Sequence, residues 1–349
     1  MKSDLIILRC SCWANDRRLL ALLLQISLIF VLAPKGSSMS RKLQFIFNPS
    51  ELGAGTRGAS LGPEAIRAAA RTKGSTLFSA HQVVTVQQQN DLLDHPTPFR
   101  YAKYIDGLST VFASLSEKIQ GCISSTALPL LISGDHSAAA GTLAALHKVY
   151  PQQRIGVIWI DAHADIHSPY TTPSGNIHGM PIAAALGLDH LHLAKNELDA
   201  ATTAHWNKLK STAFLPQDLI YIGVRDTEAE EDAVMTELQL KNYTVAELRQ
   251  KGLNNCLAEM HTQLAACDLI YVSFDVDSID PIETSYGTGT PVPNGISFAE
   301  AQALLNHFAA DPKLCALEIV EVNPCLDDEK NKMAERTLDL IENIIIQLS

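Results

Sequence analysis

Three short runs gather most of the chain's chemically useful side chains: Ser133-Gly134-Asp135-His136-Ser137, Asp161-Ala162-His163-Ala164-Asp165 and Asp275-Val276-Asp277. In extended backbone, residues i and i+2 share a face. The spacing therefore predicts that Asp161, His163 and Asp165 point together, as do Asp275 and Asp277. Four carboxylates on one wall repel, and each resists ionisation without a counter-charge. Two divalent cations supply that charge. Mixed carboxylate and imidazole donors, with no thiolate near, suit Mn(II), Co(II) or Zn(II). Each run taken alone has an ordinary structural reading. A DxD after a strand is commonly a turn or a helix cap, and Gly-Asp-His is too short to carry weight. DxHxD is more telling, although single-metal hydrolases use such ligands too. All three together point to a two-metal site.

The elements that must position these runs are legible around them. Apolar, β-branched stretches predict strands at Lys42–Phe47, Gln82–Val86, Leu128–Ile132, Ile155–Ile160, Leu219–Gly223, Leu269–Phe274 and Cys315–Val322. Helical patterns fall at Pro63–Thr72, Tyr101–Gln120, Ala138–Val149, Leu253–Ala266, Phe298–Phe308 and Lys330–Leu348. Pro63 suits a first helical turn, and Ser297 with Glu300 forms a capping box. Strands apolar on both faces, such as Ile155–Ile160, belong to parallel sheets covered on both sides. The alternation predicts an α/β domain, doubly wound or a barrel. Each of the three polar runs follows a strand, where open α/β sheets place their ligand sites.

The motifs GDHS, DAHAD and SFDVDSIDP, in this order and at roughly these separations, resemble the ureohydrolase family of arginase, agmatinase and relatives. Thr171-Thr172-Pro173-Ser174-Gly175-Asn176-Ile177-His178-Gly179 resembles the arginase substrate loop. Gly289-Thr290-Pro291 and Glu321-Val322-Asn323-Pro324 resemble two further family motifs. The resemblance runs from about Phe45 to the C-terminus. It implies a three-layer α/β/α sandwich with a central, mainly parallel sheet and a dinuclear manganese centre, with Co2+ also accepted by the donors. One ion would be held by His136, Asp161, Asp165 and Asp275, the other by Asp161, His163, Asp275 and Asp277. A hydroxide bridging the ions would attack the guanidinium carbon of L-arginine, giving urea and L-ornithine. Asp165 would carry the proton to the departing amine, Glu321 would pair with the guanidinium, and His178 would exchange protons with solvent. Ser174 and Asn176 match the residues that hold the substrate carboxylate, and Glu228 stands where an acid meets the ammonium. Two departures weaken the match: His167 replaces the usual Asn and Glu228 the usual Asp. Thr290 is expected to shape the pocket or to hydrogen-bond Glu321. The resemblance also implies a homo-oligomer, trimer or hexamer.

Agmatinase or another guanidino-acid ureohydrolase is the nearest alternative. A single-zinc deacetylase-like hydrolase fits the SFDVDSIDP and SGNIHG segments poorly. A non-catalytic metal-binding protein leaves Glu321 and the Ser174–His178 loop without a purpose.

The 349 residues are 46% apolar and 19% charged, which excludes a wholly disordered chain. Twenty-seven basic against 38 acidic residues, with no long basic run, argue against nucleic-acid partners. Arg17 and Arg18 precede an apolar stretch, Leu19–Ala33, that reads as a secretory signal or as an over-extended start ahead of Met39. That stretch is short for a membrane span. Residues 1–38 are accordingly set apart as an extension, and 39–349 as one catalytic domain without a membrane segment. The seven cysteines are irregularly spaced and include no CxxC, which favours a reducing, cytoplasmic setting, or export if the extension acts as a signal.

Overall fold

The computed structural model describes residues 42–348. The expectations for residues 1–38 lie outside the described residues. Eight strands form one sheet: β1 (Leu43–Asn48), β2 (Gln82–Thr85), β3 (Leu128–Ser133), β4 (Ile155–Ile160), β5 (Leu219–Ile222), β6 (Lys241–Tyr243), β7 (Leu269–Asp275) and β8 (Leu314–Val320). Their order is β2-β1-β3-β8-β7-β4-β5-β6, and every neighbouring pair is parallel. The sheet is open, with β2 and β6 at its edges, so the barrel alternative is excluded.

Eleven helices cover it among the described residues: α1 (Gly62–Lys73), α2 (Leu77–Ala80), α3 (Ile105–Ser124), α4 (Ala138–Val149), α5 (Pro181–Leu186), α6 (Ala200–Leu209), α7 (Ala229–Glu237), α8 (Val245–Lys251), α9 (Leu253–Gln263), α10 (Phe298–Ala309) and α11 (Lys332–Leu348). Period-two alternation along the strands sends their side chains into two separate cores. Phe45 and Phe47 of β1 join the core under α1, α9, α10 and α11, whereas Ile46 joins the core under α3 to α7. Each fully buried Ile, Leu or Phe contributes roughly 1.5–3 kcal/mol relative to exposure. The three-layer α/β/α sandwich is therefore what the two-sided apolar strands require. No helix among the described residues is long and apolar enough to cross a membrane.

Several boundaries differ from the sequence reading for local reasons. Helix α3 starts at Ile105 rather than Tyr101, because Tyr104 takes a left-handed φ of 57° that no helix accepts. Lys330 and Asn331 do the same (φ 57° and 76°), which delays α11 to Lys332. Strand β6 and helices α2, α5, α6, α7 and α8 were not expected. They are short or have little apolar contrast between faces, so no periodicity marks them. The Ser297–Glu300 capping box forms at the start of α10.

Four strands that lie side by side, β3, β8, β7 and β4, all deliver polar residues from their carboxyl ends. Gly134, just after β3, sits where a Cβ would lie 2.2 Å from the carbonyl oxygen of Ser50. Its own carbonyl accepts the Glu321 N–H at 2.9 Å and so ties the β3 and β8 exits together.

Candidate metal centre

The three polar runs converge through turns rather than through extended backbone. Asp161 Oδ1 accepts the N–H of His163 at 2.8 Å, Asp275 Oδ1 accepts that of Asp277 at 2.9 Å, and Asp135 Oδ1 accepts that of Ser137 at 2.8 Å. Each is an Asx turn, in which an Asp side chain bonds the backbone two residues on. The expected shared strand face is thus replaced by chain reversal at each strand end. Asp165 and Glu321 adopt left-handed backbone, φ 51° and 66°, which is rare for side chains of this kind and concentrates at functional sites.

The result is a buried cluster. His136 Nδ1 lies 3.0 Å from Asp161 Oδ2, 3.1 Å from Asp165 Oδ2 and 3.2 Å from Asp275 Oδ2. His163 Nδ1 lies 3.1 Å from Asp277 Oδ2 and 3.4 Å from Asp161 Oδ1. Ligand atoms of His136, Asp161 and Asp275 all fall within 4.8 Å of one another, and so do those of Asp161, His163 and Asp277. Asp161 belongs to both groups.

The electrostatics of this cluster call for cations. Burial, reinforced by the charge of Asp161, pushes Asp165 up to about 6. Burial and the charges of Asp277 and Asp161 hold Asp275 well above the usual carboxylate range. Asp277 is also raised, by burial above all, although His163 opposes the shift. Asp161 alone is lowered: burial works against its charge, but His136 and His163 outweigh it. Although they lie 3.0 Å apart, neither His136 Nδ1 nor Asp161 Oδ2 makes a hydrogen bond, and both are buried. A buried polar atom left so costs about 1–3 kcal/mol. A pair of divalent ions removes that cost and the repulsion together, and the set of two imidazoles and four carboxylates fits them.

The surroundings hold these donors in place. The Nε2 atom of His136 pairs with Ser273 Oγ at 2.8 Å, and its ring stacks on Trp159 at 4.0 Å between centroids. With Nε2–H donating to the serine, Nδ1 turns its lone pair into the cluster. Deeper in the sheet the fully buried Glu318 accepts from Ser133 Oγ at 2.5 Å and from the Tyr271 hydroxyl at 2.7 Å. The Arg225 guanidinium donates to the carbonyls of Asp277, at 2.9 Å, and Val292, at 2.7 Å, bracing the loop after β7. The Thr290 hydroxyl donates to Asp277 Oδ2 at 3.0 Å, not to Glu321 as one expectation had it.

A cavity of about 330 Å3 opens onto the cluster. His136, His163, Asp165 and Asp275 line it, together with His167, Ser174, Asn176, His178, Glu228 and Thr290. Glu321 stands one contact behind, its Oε1 accepting the His136 N–H at 2.9 Å and lying 3.2 Å from His178 Nδ1. Both nitrogens of His167 are engaged, Nδ1 with Thr171 Oγ1 at 3.0 Å and Nε2 with Glu228 Oε2 at 3.1 Å. That hydrogen bond lowers Glu228 to about 2. His167, standing where the usual Asn would contact the substrate carboxylate, therefore cannot donate to it without breaking this pair. Asn176 accepts from Lys103 Nζ at 2.9 Å, and Ser174 Oγ accepts the Asn176 N–H at 3.2 Å.

Sequence reading missed five contributors. Asp135 and Ser273 lie inside motifs already quoted, so their signal was present. Asp226, 3.7 Å from His163 Nε2, sits beside Glu228. Glu231 closes a capping box with Glu228 and forms a third group of potential donors with His167. Lys103 carries no local signal.

With that geometry described, comparison with known proteins is specific. The family model described as Arginase family matches residues 42–347. An arginase of Bacillus subtilis (strain 168) is 34% identical over 310 residues, covering 88% of this chain and 98% of that protein. A crystal structure of arginase from Bacillus subtilis superposes with a TM-score of 0.74 at 31% identity, over 87% of this chain and 98% of the other. The structure of Entamoeba histolytica arginase in complex with L-ornithine gives a TM-score of 0.74 at 28% identity, with the same coverage.

Proposed function

Because the chain belongs to the arginase family, hydrolases acting on amidino groups, we propose that it cleaves the guanidinium of L-arginine to urea and L-ornithine. The observation that carries this reading is the pair of His–carboxylate groups sharing Asp161 beside Glu321. Two Mn2+ ions would be held by His136, Asp161, Asp165 and Asp275 and by Asp161, His163, Asp275 and Asp277; Co2+ suits the same donors. When bound, such ions supply a nucleophilic hydroxide from water at neutral pH.

The chain's own residues do the rest. Glu321 pairs with the planar guanidinium in a bidentate geometry and orients its carbon. Asp165 accepts a proton and passes it to the departing amine. His178, beside Glu321 and 21% exposed, exchanges protons with solvent. Ser174 and Asn176 hold the substrate carboxylate, and Glu228, with His167 behind it, meets the ammonium. Thr290 fixes the orientation of Asp277. The same reading makes the protein a homo-oligomer, trimer or hexamer, of the cytoplasm.

The engagement of His167 with Glu228 favours one second reading, a substrate without an α-carboxylate such as agmatine. Urea release by the full chain loaded with Mn(II), compared across arginine, agmatine and 4-guanidinobutyrate, separates the two. Preference for arginine supports the first, and preference for agmatine or guanidinobutyrate supports the second. No urea from any of the three, with both ions bound, removes the amidinohydrolase assignment itself.

A further inference from the structure

On the outer side of the α9 and α10 layer, two histidines from different helices meet tip to tip. His261 Nε2 and His307 Nε2 are 2.6 Å apart, with their ring planes inclined at 59°. Two nitrogens so close cannot both carry protons, and two bare lone pairs repel. The contact is satisfied either by an N–H donated from one ring to the other or by a cation between them. Burial and the neighbouring His261 hold His307 below its ordinary value, which favours the neutral form that a metal ligand needs. Phe308 packs edge-on against the His307 ring, centroids 5.5 Å apart at 85°, and limits its rotation.

Behind the other ring stands a carboxylate. Asp311 Oδ2 lies 3.6 Å from His261 Nδ1, and Asp311 is itself buried, its Oδ1 accepting the Lys313 N–H at 2.8 Å. At that separation the carboxylate acts on the ring through its charge rather than through a hydrogen bond, and favours a proton on Nδ1. Here it leaves Nε2 of His261 free to bind, aimed at His307.

We propose that His261 and His307 form an exterior metal site that takes a single borderline divalent cation, Zn2+ or Cu2+, apart from the catalytic pocket. Neutral imidazole pairs select such ions over Mg2+ or Ca2+. With metal–nitrogen bonds of about 2.0–2.1 Å at a tetrahedral centre, the two nitrogens would stand roughly 3.4 Å apart. The tips must therefore open by less than about 1 Å, which the exposed His261 side chain allows. Water completes the coordination. The bound ion clamps α9 to α10, which lie in the same helical layer.

This inference does not rest on the proposed reaction, and its test is read without activity. Full-length protein preloaded with Mn2+ receives one equivalent of Cu2+, and the copper is followed by electron paramagnetic resonance. The expected spectrum carries coupling to two imidazole nitrogens, and it is lost in His261→Asn and in His307→Asn. Copper entering the inner centre would couple to one nitrogen, because each inner group contains one histidine. A one-nitrogen or oxygen-only spectrum in the unaltered protein, or a two-nitrogen spectrum persisting in both variants, overturns the proposal. Circular dichroism before metal addition confirms that the variants fold. Asp311→Asn, which keeps both ligands, is expected to weaken Cu2+ binding about 10-fold or more; unchanged affinity overturns the arrangement as drawn.

Discussion

His178 Nδ1 lies 3.2 Å from Glu321 Oε1, so the carboxylate proposed to receive the substrate already has a cationic partner. Burial opposes charge on His178, but the hydrogen bond and charge of Glu321 outweigh it and raise the imidazole to about 9. An arriving guanidinium competes for the same oxygen. Displacing His178 from Glu321 removes the support for its charge and releases a proton. Substrate capture therefore improves as pH rises from about 6.5 to about 9. The expected outcome is a kcat/KM that climbs through this window, with a shallower climb in His178→Asn. Identical slopes in the two proteins would show that the pair does not gate binding.

The same pair has a stability signature of opposite sense. A histidine raised in the folded state contributes fully below its unfolded value of about 6.5, and the contribution is lost as pH rises through about 9. Wild type is expected to exceed His178→Asn in unfolding free energy by on the order of 1–2 kcal/mol at pH 6, allowing for partial exposure. The difference should vanish near pH 10 in denaturant titrations of the metal-loaded proteins.

Removing metal should destabilise the chain most at neutral and higher pH. Asp165 and Asp275 are raised by burial and by the charges of Asp161 and, for Asp275, Asp277, so the metal-free protein loses stability as pH climbs through the carboxylate range to about 6. Bound cations reverse that penalty, and their binding releases protons. Chelation is therefore expected to lower the melting temperature clearly at pH 7.5 and only slightly at pH 4.5. Scanning calorimetry with and without Mn2+ decides it; an equal drop at both pH values would remove the counter-charge account.

Sequence alone singled out this cluster because its candidate donors sit at strand ends in short runs. His136, Asp161, His163, Asp165, Asp275 and Asp277 needed no long-range contact to be noticed. Their convergence does need one: β8 lies between β3 and β7, which brings Glu321 beside His136 across 185 residues of sequence. The expected i, i+2 geometry was wrong in detail, because Asp161 and Asp275 serve both as cluster members and as Asx-turn acceptors. The substrate end was less legible. Nothing local in the sequence signals that His167 and Glu228 bond each other, or that Lys103 reaches Asn176 from the start of another segment. Such pairings depend on where loops from β4, β5 and the chain before α3 meet.

Ser273 tests whether the tautomer of His136 matters. Its hydroxyl is the hydrogen-bond partner given by the fold to Nε2, at 2.8 Å. Ser273→Ala leaves the ring stacked on Trp159 but free to turn Nε2 into the cluster or to protonate Nδ1. Metal affinity at the His136 group is expected to fall about 10- to 100-fold, with the His163 group little changed. Titration calorimetry resolving two binding steps reads this directly, and two unaltered steps would assign Ser273 to packing alone.

Gly134→Ala probes the join between β3 and β8. A Cβ there would stand 2.2 Å from Ser50 O, a backbone atom that cannot swing aside. The substitution is expected to destabilise the protein by about 1–3 kcal/mol or more. It should also lower kcat, since the carbonyl of Gly134 fixes the backbone of Glu321. Full activity and stability in this variant would mean that the two strand exits move independently.

His167→Asn addresses the far end of the cavity. Shortening the side chain breaks the 3.1 Å contact with Glu228 Oε2, and the carboxylate loses the hydrogen bond that chiefly holds it at about 2. Glu228 is then free to face an α-ammonium, while the asparagine amide offers a donor to an α-carboxylate. Neither contact involves the reacting carbon, so the gain is made equally in ground and transition states. KM for arginine is expected to fall with kcat changed by no more than about twofold, and KM for agmatine to change little. The reverse pattern, a loss of kcat on every substrate, would place His167 in the chemistry rather than in selection.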